Sequence, residues 1–150
     1  MKIIFCIYQL DFADHISLSY LSAVAKKRGY KTFFCLLKDL EQTIQRVKPD
    51  LIAFSLNVFG FDECIKEHKR LVKKYKYFSI GGGPQATFKP ELFETTELDA
   101  YCIGEGELAF DEFLKCLETF TSYDNVENLI TLNASNPVRP LIKDLDTMFI

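Results

Sequence analysis

The sequence predicts an α/β fold built on a doubly wound, five-stranded parallel sheet in the flavodoxin-like strand order 2-1-3-4-5. Short apolar runs alternate with amphipathic helical segments along most of the chain. The apolar runs lack the polar alternation of half-exposed strands, which indicates burial on both faces of the sheet. At 150 residues the chain is long enough for one such domain with a substantial core.

The first part of the chain supplies two strand–helix units. Residues 2–8 (KIIFCIY) form an unbroken apolar run and are predicted as a buried strand. Residues 17–29 repeat apolar positions at helical spacing and end on basic residues and a glycine, which suit a helix C-terminus. Residues 31–37 are predicted as the second strand, and 40–48 as an amphipathic helix that Pro49 ends.

Three further strands follow in the same rhythm. Residues 50–56 (DLIAFSL) are predicted as the third buried strand, and 61–76 as an amphipathic helix. The fourth strand is predicted at 77–81 and the fifth at 99–104, with a short helical piece near 90–96 between them.

The last helix is predicted at 107–120, and after it the alternation stops. Residues 125–132 indicate an extra strand, and 138–150 an extended exit segment. We therefore expect two parts, a Rossmann-like domain at 1–122 and a short β extension with a linker at 123–150.

Composition excludes several classes of function. A net charge of −3 gives no electrostatic basis for binding nucleic acid or an anionic membrane. The apolar start of the chain is too short for a signal peptide, so we expect a cytoplasmic protein. The cysteines are odd in number, scattered and without the spacing of zinc or iron–sulfur ligands, so we expect reduced thiols, no metal site and no catalytic residue.

Unusual residues gather in loops that follow the predicted strands. In a doubly wound sheet, ligands bind beyond the carboxyl ends of the strands, beside the point where strand order reverses. The loops 9–15, 55–61, 81–87 and 104–107 all reach that edge. Each also has a purely structural interpretation, because their glycines could serve turns and their polar side chains could satisfy backbone groups. A G-x-G-x-x-G or Walker sequence, which would indicate phosphate binding, is absent.

Motifs in these loops resemble the cobalamin-binding domain at the N-terminus of many radical S-adenosylmethionine (SAM) enzymes. The matching stretches are DLIAFSL (50–56), YFSIGGGPQATFKPE (77–91) and LDAYCIGEGELAFDEFL (98–114). VRPLIKDLD (138–146) is similar to the family's linker into its catalytic barrel.

The resemblance implies a cobalamin whose corrin rests on the carboxyl edge of the sheet and whose nucleotide tail passes between sheet and helices. Gly82 and Gly83 would leave room for the tail, Ser55 would offer it a hydroxyl, and Leu56 would form an apolar wall. The full set of cofactor-binding residues implied is Leu10, Asp11, Phe12, Ser55, Leu56, Asn57, Gly82, Gly83, Pro84, Gln85, Gly104, Glu105 and Gly106.

The chain departs from related domains at its histidines. Those domains carry Asp-x-His-x-x-Gly after the first strand, whereas His15 here lacks both the aspartate and the glycine. We therefore expect a base-off cobalamin without a histidine ligand. Gln85 stands where the family often has histidine, and His68, mid-helix among lysines, is expected at the surface or its boundary.

A radical SAM catalytic domain holds its cluster on Cys-x-x-x-Cys-x-x-Cys, a spacing that this chain lacks. The iron–sulfur cluster and SAM would therefore belong to a catalytic domain outside the chain, C-terminal or separate, which would be its partner in methyl transfer or radical rearrangement. Two alternatives stay open. One is a degenerate domain of the same fold that acts in docking or regulation, and the other is a flavodoxin-like FMN-binding protein.

Overall fold

The protein is described from a computed structural model that covers residues 1–9 and 16–141. In these ranges one sheet has the order β2-β1-β3-β4-β5-β6, in which β1 to β5 are parallel and β6 is antiparallel to β5. The predicted α/β class and order 2-1-3-4-5 are confirmed, and β6 extends the sheet at its β5 edge. The strands are β1 (Lys2–Ile7), β2 (Lys31–Leu36), β3 (Leu51–Ser55), β4 (Phe78–Gly82), β5 (Ala100–Cys102) and β6 (Leu129–Thr131).

The helices are α1 (Ile16–Lys27), α2 (Leu40–Val47), α3 (Phe61–Leu71), α4 (Pro84–Phe88) and α5 (Glu107–Thr119), with short 3-10 helices at Leu37–Asp39 and Pro90–Thr95. Helices α1 to α4 lie between successive parallel strands, and α5 lies between β5 and the antiparallel β6. The helix α3 ends five residues before its predicted end at residue 76, because the chain tightens into turns after Leu71. The amides of Lys74 and Tyr75 both donate to Leu71 O, which closes these turns. Apolar residues such as Val72 and Tyr75, whose helical spacing predicted a longer helix, therefore lie in turns after α3.

The two faces of the sheet are covered by different helices. One core cluster joins α1 and α5 to the sheet through residues such as Phe5 and Phe110, whose ring centroids lie 5.8 Å apart. The other cluster packs α2, α3, α4 and the second 3-10 helix on the opposite face. Arg28, just after α1, ties that helix to α5 through hydrogen bonds of 2.6 and 3.0 Å to the carboxylate of Asp111. This covering of both faces leaves the carboxyl edge of the sheet as the place for a site.

The C-terminal extension belongs to the same folded body as the sheet. Val126 and Leu129 are buried in the α1/α5 core, and β6 pairs with β5. β6 is shorter than the predicted 125–132, because Asn128 adopts a left-handed φ of 68° immediately before it. The predicted linker beyond residue 141 lies outside the described residues.

His68 is fully buried, which corrects the expectation that it lies at the surface. The spacing Cys64, His68, Leu71 places it on the inward stripe of α3. Its Nε2 lies 3.1 Å from Glu97 O and its Nδ1 lies 3.3 Å from the Tyr77 hydroxyl. Burial lowers the pKa of His68 below its ordinary value of 6.5.

None of the helices within residues 1–9 and 16–141 combines the length and the apolar character needed to cross a membrane.

Candidate functional site at the carboxyl edge

A row of four residues crosses the sheet at the carboxyl ends of β1, β3, β4 and β5. Ile7 pairs with Ser55, Ser55 with Gly82, and Gly82 with Cys102. Because side chains alternate along a strand, all four positions face the α1/α5 side of the sheet. Gly82 has no side chain, so the row has a gap at its centre.

A cavity of about 120 Å³ lies at this gap, between the sheet and helices α1 and α5. An apolar cavity of roughly 150 Å³ accepts one aromatic ring, so the space is of that order. Its wall is formed by Ser17, Leu18, Leu21, Ala53, Phe54, Ser55, Ile80, Gly81, Gly82, Gly83, Cys102, Gly104, Gly106, Glu107 and Phe110.

The wall is mainly apolar, with a single available hydroxyl on the sheet. Ser55 is partly exposed there, and among the described residues its Oγ has no hydrogen-bond partner. Burial raises the pKa of the Cys102 thiol to about 12, and the charge of Glu107 acts in the same direction. Cys102 therefore stays a neutral, apolar group at physiological pH, and Ser55 is the group on the sheet that could hydrogen-bond a ligand.

The three consecutive glycines have three different structural reasons. A Cβ at Gly82 would lie 3.6 Å from Cys102 Cβ, an ordinary contact, so its absence leaves free space. Gly83 has φ +114°, and a Cβ there would lie 2.8 Å from Leu56 O. At Gly81 a Cβ would lie 2.6 Å from Leu56 Cδ1, on the opposite face. Gly82 alone fits the expected role of leaving room, whereas Gly83 is required by the turn itself.

The turn after β4 is fixed by the backbone of Leu56. The Leu56 amide donates to Gly82 O at 2.7 Å, and Leu56 O accepts from the Gln85 amide at 3.1 Å. These bonds hold the N-terminus of α4 against the end of β3. The Thr87 hydroxyl then accepts a hydrogen bond of 3.0 Å from the Gly104 amide, which links this turn to the next one.

The second glycine turn, at 104–106, is held by Asn128 from the C-terminal extension. Its Nδ2 donates to Ile103 O at 2.8 Å and to Glu105 O at 3.1 Å. Gly104 needs its glycine, because its φ is +74° and a Cβ would lie 3.3 Å from Asn128 Nδ2. Asn128 was not among the predicted site residues. Its residue type, which tolerates the left-handed region better than most, was the one local signal.

The other predicted site residues lie around the cavity or away from it. Leu56 is fully buried on the opposite face of the sheet, so its side chain does not line this cavity. Asn57 Oδ1 accepts hydrogen bonds from the amides of Phe59 and Gly60, which closes the loop after β3. Pro84 begins α4. Leu10, Asp11, Phe12 and His15 lie outside the described residues.

Within the described part of the chain, His, Cys, Asp and Glu side chains form no group of three or more that could hold a metal ion. The five cysteines are all free thiols.

Comparison with known proteins gives a family. A sequence model described as a B12 binding domain matches residues 11–114, which includes both glycine turns. A search of curated proteins found no significant match.

Solved structures share the fold at low sequence identity. The radical SAM methyltransferase TsrM from Kitasatospora setae, solved with cobalamin and a [4Fe-4S] cluster bound, is 16% identical, with a TM-score of 0.74 over 96% of this chain and 30% of that chain. The cobalamin-dependent radical SAM enzyme OxsB, solved with aqua-cobalamin, is 15% identical, with a TM-score of 0.76 over 93% of this chain and 22% of that chain.

A cobalamin-binding protein from Desulfitobacterium hafniense is 16% identical, with a TM-score of 0.61 over 81% of this chain and 59% of that chain. At these identities the likeness concerns the fold. The present chain spans less than a third of the TsrM and OxsB chains.

Proposed function

The chain belongs to the B12-binding domain family, and from this membership we propose that it holds cobalamin with the nucleotide tail in the cavity at Gly82. The observation that carries the proposal is the gap in the row Ile7–Ser55–Gly82–Cys102. The backbone of Gly82 has a conformation that any residue could adopt, so the turn does not require glycine at this position. A ligand that passes over Gly82 would explain why a side chain is missing there.

The residues present fit such a tail. Its aromatic base matches a mainly apolar cavity of about 120 Å³, bounded by Leu18 and Phe110 on the helices. The whole tail is larger than this space, so binding requires the side chains of α1 and α5 at the cavity to move apart. The Ser55 hydroxyl would donate a hydrogen bond to the tail.

The bound cofactor would supply a reactive cobalt centre, whereas the residues of this chain would hold and orient it. A tail buried in the cavity cannot also reach the cobalt, so the cobalamin would be base-off. His68 cannot replace the tail base, because it is buried under the opposite face and engaged by Tyr77 and Glu97. His15 lacks the aspartate and the glycine of the Asp-x-His-x-x-Gly motif. On these two grounds we propose that neither histidine of this chain ligates the cobalt.

We further propose that the chain serves a radical SAM enzyme in methyl transfer or radical rearrangement. TsrM and OxsB support this, because each contains a region with this fold within a much longer chain. The present sequence lacks the Cys-x-x-x-Cys-x-x-Cys spacing. The iron–sulfur cluster and SAM would be held by a catalytic domain outside these 150 residues.

The test is retention of cobalamin by the purified chain. The protein is mixed with hydroxocobalamin and desalted, and its visible spectrum is recorded next to its far-ultraviolet circular dichroism. Stoichiometric corrin absorbance on folded protein is the expected result. A folded but colourless protein would overturn the proposal in favour of a docking domain, and a protein yellow as purified would favour an FMN carrier.

A further inference from the structure

Two cysteines face each other across the edge of the sheet, away from the proposed cobalamin cavity. Cys6 of β1 and Cys35 of β2 are register partners, and both side chains belong to the α2/α3 face. Neighbouring strands lie about 4.7–4.9 Å apart. Disulfides form between residues whose Cα atoms are about 4.4–6.8 Å apart, so the backbone already lies within reach of a bridge.

The two thiols differ in access. Cys6 is fully buried, whereas Cys35 is partly exposed. β2 is the edge strand of the sheet, and Cys35 lines an open groove of about 800 Å³ beside α2. An oxidant can therefore reach Cys35 from solvent, whereas Cys6 is buried and not directly accessible.

The surroundings of Cys35 favour its thiolate. A hydrogen bond from the Cys6 side chain lowers the pKa of Cys35, and Thr43 and Arg46 act in the same direction, against burial and the charge of Asp39. The thiolate is the nucleophile in thiol oxidation, and redox-sensitive cysteines typically combine a low pKa, access and a neighbouring resolving cysteine.

We propose that Cys35 and Cys6 form a peroxide-sensitive dithiol that oxidises reversibly to a disulfide between β1 and β2. The Cys35 thiolate attacks hydrogen peroxide. An S–O bond forms, the O–O bond breaks and hydroxide leaves, so the sulfur is oxidised to sulfenic acid while the peroxide is reduced. The Cys6 sulfur then attacks Cys35 Sγ, an S–S bond forms, the S–O bond breaks, and the leaving hydroxide takes the Cys6 proton as water.

The net reaction converts two thiols and one peroxide into a disulfide and two waters, and an external dithiol reverses it by exchange. This inference is independent of cobalamin binding.

The remaining cysteines provide internal comparisons. Burial raises the pKa of Cys64 and of Cys102 to about 12, and both side chains are buried, so neither should react first. Cys116 on α5 is partly exposed, as Cys35 is, and lies in the α1/α5 core, on the other face of the sheet from Cys6. It is the matched control for access without a resolving partner.

The experiment maps the oxidised linkage by mass spectrometry. The wild-type chain is treated with hydrogen peroxide, its free thiols are alkylated, and the protein is digested with trypsin without reduction. Lysines separate Cys6 and Cys35, which fall in peptides 3–26 and 32–38. We expect these peptides to be linked, with a mass lower by two hydrogen atoms, and to separate with dithiothreitol.

Three variants decide the assignment. Cys35→Ser should abolish the link, and Cys116→Ser should leave it intact. Cys6→Ala, if folded by circular dichroism, should leave Cys35 as a sulfenic acid that dimedone traps; if it is unfolded, Cys35→Ser decides alone. The proposal is overturned if the wild type yields sulfinic or sulfonic Cys35 without a link, or if Cys35→Ser still loses two hydrogen atoms.

Discussion

Replacing Gly82 by valine should weaken cobalamin binding and leave the fold intact. The backbone at Gly82 lies outside the left-handed region, and the nearest atom to an added Cβ is 3.6 Å away. Valine suits a strand, and its methyl groups would enter the cavity of about 120 Å³. Loss of glycine entropy in the unfolded chain stabilises a fold by about 0.4–1 kcal/mol. We therefore expect the apo melting temperature of Gly82→Val to equal or slightly exceed the wild-type value.

The same methyl groups would compete with the cofactor for space. Overpacking of a filled site costs about 1–3 kcal/mol, which corresponds to roughly five- to a hundredfold weaker binding. Isothermal titration with hydroxocobalamin measures this loss directly. Gly82→Ala, with a single added carbon in ordinary contact, should lie between wild type and valine.

Gly83→Ala is the matched control, because glycine is required at position 83 by the backbone conformation and not by a ligand. At φ +114° and with a Cβ 2.8 Å from Leu56 O, alanine there is strained. Such strain costs about 1–3 kcal/mol, and each kcal/mol lowers the melting temperature of a chain of this size by about 2–4 °C. Gly82→Val should thus lower the affinity for cobalamin, whereas Gly83→Ala should lower the melting temperature. Wild-type affinity in Gly82→Val would refute the idea that the tail passes over this residue.

Four further outcomes are expected. Ser55→Ala should weaken cobalamin binding by about 0.5–1.5 kcal/mol in the same titration, with an unchanged melting temperature, because the hydroxyl has no partner within the described protein. Asn128→Ala should cost about 1–3 kcal/mol in chemical denaturation, because Ile103 O and Glu105 O lose a donor. Burial depresses the pKa of His68, so the unfolded chain binds the extra proton and stability is lost as pH falls below about 6.5; the fall in melting temperature between about pH 7.5 and 5.5 should shrink in His68→Gln. Cobalt(II) cobalamin on the protein should show an electron paramagnetic resonance signal without nitrogen superhyperfine splitting, identical in His15→Ala; splitting that disappears in the variant would contradict the proposal that no histidine ligates the cobalt, and splitting that persists in it would contradict the base-off proposal.

The sheet could be predicted because its signals are local. Unbroken apolar runs such as 2–8 specify strands buried on both faces, and strand order follows from chain length and the crossover rule. The ends of elements were less accurate. β5 was expected at 99–104 but ends at Cys102, because the left-handed turn at Gly104 takes the chain out of the ladder.

The site could be predicted only in part. Ser55 and Gly82 each stand at a strand end, and the predicted topology correctly brings them together at the carboxyl edge. Their contact with a cofactor was implied by the family resemblance and stays a prediction. A turn role was one of the open interpretations of the glycines, but the sequence could not assign it to Gly83 and not to Gly82, because the assignment depends on how close Leu56 O comes in space. The prediction for His68 was wrong because its sequence neighbours include lysines, which are typical of a solvent-exposed face, whereas its spacing from Cys64 and Leu71 places it on the buried stripe of α3.

The extension after α5 has to be counted as part of the site, although an expected boundary at residue 122 separates it. Asn128 holds the second glycine turn from both ends: it donates to Ile103 O and Glu105 O, and its own backbone O accepts from the Ile103 amide at 2.9 Å. Its side-chain oxygen in turn accepts from the Arg139 amide at 2.8 Å. Removing residues 123–141 would take away the Asn128 side-chain amide that donates to Ile103 O and Glu105 O, and would uncover the core that β6 closes. A fragment ending at residue 122 would keep Gly104 and Gly106 but would lose the Asn128 hydrogen bonds that hold their turn in the cavity wall. We therefore expect that a unit able to bind cobalamin has to include the extension through Arg139.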